Sequence, residues 1–175
     1  MNLEDLASKI KDIEIQLDEK DILNFLKITR RWHHPSVEII DTLGRCRSER
    51  FFDIKGEFLY DIWKEYYDKG FTVILSNILD LTEELRQIDR LLRYETGFHT
   101  WANFYFSKPG RKASFDLHEH PYTVIVKQIY GKSDWQVGDK KFTLKPNEVC
   151  VIPAKTKHMV FSKNENKLSL TINID

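Results

Sequence analysis

The sequence predicts a mainly β fold with some α-helix, in which a jelly roll (a double-stranded β-helix barrel) follows an N-terminal helical segment. Two observations predict this fold. Apolar residues recur at helical spacing in the first half of the chain, whereas after Gly97 short strand-like runs alternate with Gly, Pro, Asn and Asp. Eight such runs fit in the last part of the chain, as a small jelly roll requires. We therefore expect helices over residues 1–70, packed on a barrel formed by residues 71–175.

Composition narrows the class of protein. The chain has 175 residues, with 27 Lys and Arg against 27 Asp and Glu. Without an excess of cations, neither nucleic acid nor an anionic membrane is an expected partner. The longest apolar runs, FTVIL and YTVIV, are far too short to span a bilayer, and the N-terminus does not resemble a signal peptide. We expect a soluble, cytoplasmic protein.

The helices follow from apolar spacing and from capping residues. Residues 3–26 have an amphipathic pattern that breaks near residues 18–21, which predicts two helices. A third helix is expected between Gly56 and Gly70, and a buried strand in FTVILSNI. Residues 81–94 form the clearest helix, with Thr82 as its N-cap. These helices are expected to pack on one side of the barrel.

The barrel strands are predicted from short apolar runs between turn signals. Their β-branched and aromatic residues favour strands, and the Gly, Pro, Asn and Asp between them favour turns. The runs are WANFYFS, SFDLHEH, YTVIVKQIY, WQV, FTL, VCVIP, HMVFS and LSLTINI.

His118 and His120 form the first candidate site, within SFDLHEH. On a strand, residues two apart point to the same face, so both imidazoles face one way and Glu119 faces the other. Two imidazoles on one face can bind a metal such as Fe, Zn, Cu or Ni. Taken alone, such a pair is more often a surface or packing feature.

His158 strengthens the metal interpretation. It lies forty residues after His118 and follows an apolar strand and a Pro-containing turn. In a jelly roll, this hairpin can return across the barrel and bring His158 opposite the first pair. Three protein ligands with open coordination positions are typical of a catalytic metal site, not a closed structural one.

A wider set of residues resembles the cupin superfamily. The set comprises His118, His120, Gln128, Gly131, Trp135, Pro153 and His158. More narrowly, the offsets of Gln128, Gly131 and Trp135 from His118 are similar to those of the JmjC-like cupins. These are iron(II)/2-oxoglutarate oxygenases that hydroxylate proteins. The resemblance covers roughly residues 70 to 174.

The resemblance implies further site residues. Asn103 and Tyr105, followed by Pro109 and Gly110, resemble the N-x-Y strand that leads into the family's site. It implies iron(II) at His118, His120 and His158, with Asn103, Tyr105 and Gln128 lining the pocket or orienting ligands. Further along, Asn147 and Lys155 stand where the cupin pattern usually has glycine.

The chain departs from the family at the metal ligands. The family's carboxylate ligand is replaced by His120, and Glu119 should face away. Asp116 shares the face of the histidines and is expected to be a second-shell partner or an extra ligand. A three-histidine site still suits iron(II), as in some cupin dioxygenases that use no 2-oxoglutarate.

A second departure concerns the cosubstrate. Where the family has a Lys or Arg that pairs with the far carboxylate of 2-oxoglutarate, this chain has Ser133. Lys132 is adjacent but should face the other side of its strand. Lys127 and Lys167 could reach in from neighbouring strands, and a solvated surface position is the alternative for each. The use of 2-oxoglutarate therefore stays open.

The sequence thus favours an iron(II)-dependent oxygenase acting on a peptide, a protein side chain or a small metabolite, with another divalent metal as a variant. One alternative is a metal cupin of another class, either a 2-oxoglutarate-independent dioxygenase or an isomerase. The other is a non-catalytic binding module, in which the aromatic-rich helical segment supports a homodimer.

Overall fold

Two antiparallel sheets face each other in the computed structural model, which describes residues 2–31, 33, 35–40, 43, 46–109, 115–162 and 165–175. The seven-stranded sheet has the order β2-β1-β3-β4-β10-β5-β8, and the three-stranded sheet has the order β7-β6-β9. The strands are β1 Ser36–Ile40, β2 Cys46–Arg47, β3 Val73–Ser76, β4 Thr100–Ser107, β5 Thr123–Tyr130, β6 Ser133–Val137, β7 Lys140–Leu144, β8 Val149–Ile152, β9 His158–Ser162 and β10 Lys167–Ile174. This arrangement confirms the predicted jelly roll.

Four helices among the described residues agree with the predicted pattern. They are α1 Leu3–Asp12, α2 Glu19–Ile28, α3 Tyr60–Asp68 and α4 Glu83–Thr96. The break between α1 and α2 is confirmed, and Asp18 begins α2 with a capping box. The Thr82 hydroxyl accepts from the backbone N–H of Leu85, as predicted for the cap of α4. No helix in the described part of the chain is long and apolar enough to cross a membrane.

The first seventy residues are not wholly helical. β1 pairs with β3, which places Val37 opposite Leu75 and extends the large sheet. The spacing of the helical segments gave no signal for β1, because a strand of five residues is too short to show a period. Its burial nevertheless follows strand alternation, with Val37 and Ile39 in the core.

The run SFDLHEH is not a regular strand in the described residues 115–120. Only His118 pairs with another strand, through an isolated bridge to His158. Pro121 follows directly and has no N–H to donate to a ladder, which limits pairing at this point.

The large sheet separates two environments. Its outer face packs on the helices in one hydrophobic cluster, which includes Ile10, Trp63, Ile88 and Phe106. Its inner face looks toward the small sheet and contributes to a smaller cluster with Trp135 and Ile152. Side chains alternate along a strand, so successive residues of this sheet face the helical layer and the barrel interior.

Candidate metal centre

A cavity of about 80 Å³ lies inside the barrel, between the two sheets. His118, His120 and His158 line it, and so do apolar residues such as Val126 and Ile152. Polar side chains from β4 and β10 complete the wall: Asn103, Tyr105, Lys167, Ser169, Thr171 and Asn173.

The three histidines converge within the cavity. One potential ligand atom from each lies within 4.8 Å of the others. The ring centroids are 4.4 Å apart for His118 and His158, and 5.2 Å apart for His120 and His158. Paired backbone bonds fix this geometry, since the N–H groups of His118 and His158 donate to each other's carbonyl at 3.1 and 2.8 Å.

Two of the imidazoles are oriented by backbone carbonyls. Nδ1 of His118 lies 2.7 Å from the carbonyl oxygen of Asp116, and Nδ1 of His158 lies 2.8 Å from that of Thr156. A carbonyl only accepts, so each Nδ1 carries the proton and donates. In the neutral imidazole, Nε2 of each ring then has the free lone pair that binds a metal.

The third imidazole is held by stacking and by the turn before His158. The ring of His120 lies 4.8 Å from the ring of Tyr122, at an angle of 7°. Its carbonyl accepts from the N–H of Lys155 at 2.7 Å. Lys155 has φ of 60° and Asn147 has φ of 63°, which explains why the cupin pattern usually has glycine at these positions.

Burial favours the uncharged form of two of the three imidazoles. Burial and, to a smaller extent, the neighbouring His118 and His158 lower the pKa of His120 to about 4. Burial also lowers the pKa of His158. Neutral imidazole is the ligand form, and a set of three imidazole nitrogen donors fits a divalent metal such as Fe(II) or Zn(II).

Other predicted residues take different positions. The Asp116 side chain is exposed, so this residue supports His118 through its backbone carbonyl and not through its carboxylate. Glu119 is also exposed. Asn103 and Tyr105 line the cavity. Gly110 lies outside the described residues.

Gln128 and Ser133 are buried outside the cavity. Gln128 Oε1 accepts from the hydroxyls of Ser133 and Ser169 at 2.7 and 2.8 Å. Ser133 Oγ in turn accepts from Trp135 Nε1 at 2.8 Å. Neither Gln128 nor Ser133 lines the cavity, so this network holds the strands together and leaves no hydroxyl at position 133 for a ligand.

The lysines considered for the cavity have three different positions. Lys132 is exposed at a turn. Lys127 is buried under α1, where its ammonium donates to the carbonyls of Ile10, Lys11 and Ile13. Lys167 is 3% exposed and lines the cavity. The alternative prediction of a solvated surface position is therefore wrong for both Lys127 and Lys167.

The sequence analysis did not identify the polar wall on β10. Lys167, Ser169, Thr171 and Asn173 occupy every second position of the strand and face the cavity. The alternation in KLSLTINI was a usable signal, because polar residues at period two inside a buried strand mark one polar face. Tyr122 was also missed, since a stacking partner leaves no pattern in sequence.

Comparisons with known proteins show a similarity of fold alone. No family model and no curated protein matches the chain. Among solved structures, YcfD, a ribosomal oxygenase from Escherichia coli, is similar with a TM-score of 0.64 and 15% identity, over 92% of this chain and 44% of that chain. This similarity shows that the two chains share a fold.

Two other solved structures align over a shorter part of the chain. A cupin 2 conserved barrel domain protein from Leptotrichia buccalis is 28% identical, with a TM-score of 0.40 over 43% of this chain and 36% of that one. The DMSP lyase DddQ from Ruegeria pomeroyi is 17% identical, with a TM-score of 0.40 over 43% and 38%. The chain spans less than half the length of all three similar proteins.

Proposed function

We propose that this chain is a metal-dependent cupin enzyme of the JmjC-like kind, which holds one Fe(II) through His118, His120 and His158 and oxygenates its substrate. The observation that carries the proposal is the convergence of three imidazoles on one cavity. When bound, iron(II) supplies the redox chemistry by which dioxygen oxidises a C–H bond.

The chain's own residues have distinct tasks in this proposal. Asp116 and Thr156 orient the ligand rings through their carbonyls, and Tyr122 holds the ring of His120. Apolar side chains such as Val126 exclude water from the cavity and thereby strengthen electrostatic contacts inside it. Asn103 and Tyr105 offer polar contacts that would orient a substrate.

The size of the cavity favours a small substrate or a single side chain. Pockets that enclose a drug-sized ligand measure roughly 300–1,000 Å³, whereas this cavity measures about 80 Å³. A small metabolite, or one side chain of a peptide or protein, therefore fits the proposal better than an enclosed peptide.

Metal titration tests the centre itself. Metal-free protein should bind one equivalent of Fe(II) under anaerobic conditions, as measured by calorimetry and elemental analysis. His158→Ala should weaken binding by more than about 100-fold, because it removes one of three ligands. His99→Ala is the matched control, since His99 is exposed and outside the triad.

Equal binding by the two variants would contradict the proposed centre. A metal-free protein that sediments as a stable dimer would favour the non-catalytic binding module instead.

A second candidate is a metal cupin that uses no 2-oxoglutarate, as a dioxygenase or an isomerase. Two observations favour it: His120 replaces the carboxylate ligand, and the hydroxyl of Ser133 is fully engaged by Gln128 and Trp135. Incubation of the Fe(II)-loaded protein with 2-oxoglutarate and dioxygen separates the two candidates. Succinate formation supports 2-oxoglutarate use, whereas neither turnover nor saturable binding supports the second candidate.

A further inference from the structure

A continuous series of aromatic rings leads from the histidine triad to the surface. The ring centroid of His120 lies 4.8 Å from that of Tyr122, and Tyr122 lies edge-on against Trp101 at 4.9 Å. Trp101 in turn stacks on His99 at 5.3 Å. His99 is exposed, whereas Tyr122 and Trp101 are partly buried. These separations are those of aromatic rings in contact, so the series is unbroken.

The large sheet holds this series in place. Trp101 lies on β4, on the same face as Asn103 and Tyr105, which line the cavity. Tyr122 lines the cavity and directly precedes β5. Since β10 pairs with both β4 and β5, the rings of Tyr122 and Trp101 meet across β10. The register of three strands therefore sets the contact.

The other aromatic contacts of the triad form no such series. Phe115 lies 5.1 Å from His118, and Trp135 lies 6.5 Å from His158. A phenylalanine ring gives up an electron far less readily than tyrosine or tryptophan. Trp135 is buried and has no ring contact beyond His158 within the described ranges. Among the residues that the structure describes, the oxidisable rings that lead to the surface are thus those that begin at Tyr122.

Oxygen chemistry gives these rings a task. An iron(II) centre reacts with peroxide even when no substrate is bound, and the oxidising power then falls on the protein. His120 and Met159 line the cavity and are near targets, since a thioether is readily oxidised. A cofactor site has to exclude such competing reactions. Electron transfer between rings in contact is fast, so a tyrosine and a tryptophan in series can intercept the oxidation.

We propose that the rings of His120, Tyr122, Trp101 and His99 form an electron path that protects the metal centre when it is oxidised without substrate. This protection rests on the proposed Fe(II) site. With hydrogen peroxide as the oxidant, one electron comes from Fe(II) and the other from the Trp101 indole, by way of Tyr122.

The step balances with solvent protons and a thiol. Peroxide takes up the two electrons, the indole proton and one proton from solvent; its O–O bond breaks and two water molecules form. Fe(III) and a neutral Trp101 radical remain. A soluble thiol, which is oxidised to its disulfide, then returns both electrons, and the indole regains its proton.

Freeze-quench EPR and peptide mass mapping of the iron-loaded protein, treated with hydrogen peroxide without substrate, test this path. Iron content is measured first. We expect a tryptophan radical and oxidation of Trp101 in the wild type, and loss of both in Tyr122→Phe, which keeps a stacking ring but is hard to oxidise. In Trp101→Phe, oxidation should move inward, to Tyr122 and to the sulfoxide of Met159.

Tyr94 is the control for a freely diffusing oxidant. Its side chain is 87% exposed, and it has no ring contact with the series within the described part of the chain. Tyr94→Phe should leave the Trp101 radical unchanged. Stronger oxidation of Tyr94 than of Trp101 would overturn the proposal, and so would equal oxidation of Trp101 in the wild type and in Tyr122→Phe.

Two further measurements separate the possible failures. Thermal unfolding and iron content verify that each variant is folded and loaded. Iron-loaded protein without a Trp101 radical would overturn the electron path alone, whereas protein that binds no iron would overturn it together with the proposed function.

Discussion

Two buried lysines on neighbouring strands of the large sheet face opposite sides of it. Lys127 on β5 is 1% exposed, and Lys167 on β10 is 3% exposed. Lys127 points to the helical layer and Lys167 points to the cavity. Two lysines with similarly low exposure therefore have their side chains on opposite sides of one sheet.

Their surroundings explain the difference. Lys127 Nζ donates to three carbonyls at the C-terminal end of α1, at 3.0, 2.7 and 2.7 Å. These carbonyls have no partner within the helix, and a cation there also favours the helix dipole. Lys167 instead lies among hydroxyl and amide side chains that line a cavity. We infer that Lys127 holds the N-terminal helix on the barrel, whereas Lys167 lines the cavity.

The largest expected effect comes from the backbone contact that positions Lys167. Gly131 has φ of 66°, and a Cβ at this position would lie 2.0 Å from the Asn166 carbonyl oxygen and 2.9 Å from Lys167 Cα. Gly131→Ala should therefore destabilise the fold by about 3–4 kcal/mol and displace the start of β10.

Gly138→Ala is the matched control, because Gly138 has φ of 57° but nothing within 4 Å of a Cβ. It should cost only about 1–2 kcal/mol, the strain of the left-handed conformation. Urea unfolding measures both variants. Equal losses would show that the contact with β10 is unimportant.

The direct test of the comparison is the pair Lys127→Met and Lys167→Met. We expect Lys127→Met to lower the free energy of unfolding by about 2–3 kcal/mol, because three carbonyls at the end of α1, two of them in buried contacts, lose their donor. Lys167→Met should lower it by less than Lys127→Met does, because no helix end depends on this lysine. Denaturant unfolding gives both values, and the opposite order would refute the comparison.

A smaller effect is expected in the hydrogen-bond network of Gln128, Ser133 and Trp135. Ser133→Ala leaves the buried Trp135 Nε1 without its acceptor and removes one donor to Gln128. The expected cost is about 1–2 kcal/mol, as for a buried hydrogen bond. Urea unfolding measures this loss. An unchanged free energy of unfolding would show that the network contributes nothing to stability.

The smallest expected effect is a pH dependence of the metal-free protein. The pKa of His120 is lowered from 6.5 to about 4, so between these values the unfolded state binds more protons than the folded state. Stability should therefore fall as the pH decreases from 6.5 towards 4. Thermal unfolding should show a weaker slope for His120→Asn, and an unchanged slope would contradict the assigned burial of His120.

Sequence patterns could predict the barrel and the metal triad because both depend on short repeats. The spacing of His118, His120 and His158 indicated one site, and the fold brings the three rings together. The reason differs from the expected one. The segment that carries His118 and His120 is held by a single bridge from His118 to His158 and is not a regular strand.

The roles of the lysines could not be predicted in the same way. Lys127 and Lys167 have no distinguishing local pattern, and their roles depend on which face meets α1 and which meets the cavity. The register of β5 against β10, with Lys127 opposite Leu170, sets these faces. Long-range pairing of this kind is not encoded in residue spacing. The polar alternation on β10 was the one local signal that pointed to the cavity wall.

The central claim is that three histidines hold one metal ion at the end of this cavity. The most direct measurement is the anomalous difference map of a crystal grown with Zn(II). We predict a single strong peak about 2.0–2.1 Å from Nε2 of His118, His120 and His158, the usual zinc–imidazole distance. A peak bound through the Asp116 carboxylate, or no peak at the triad, would contradict the account.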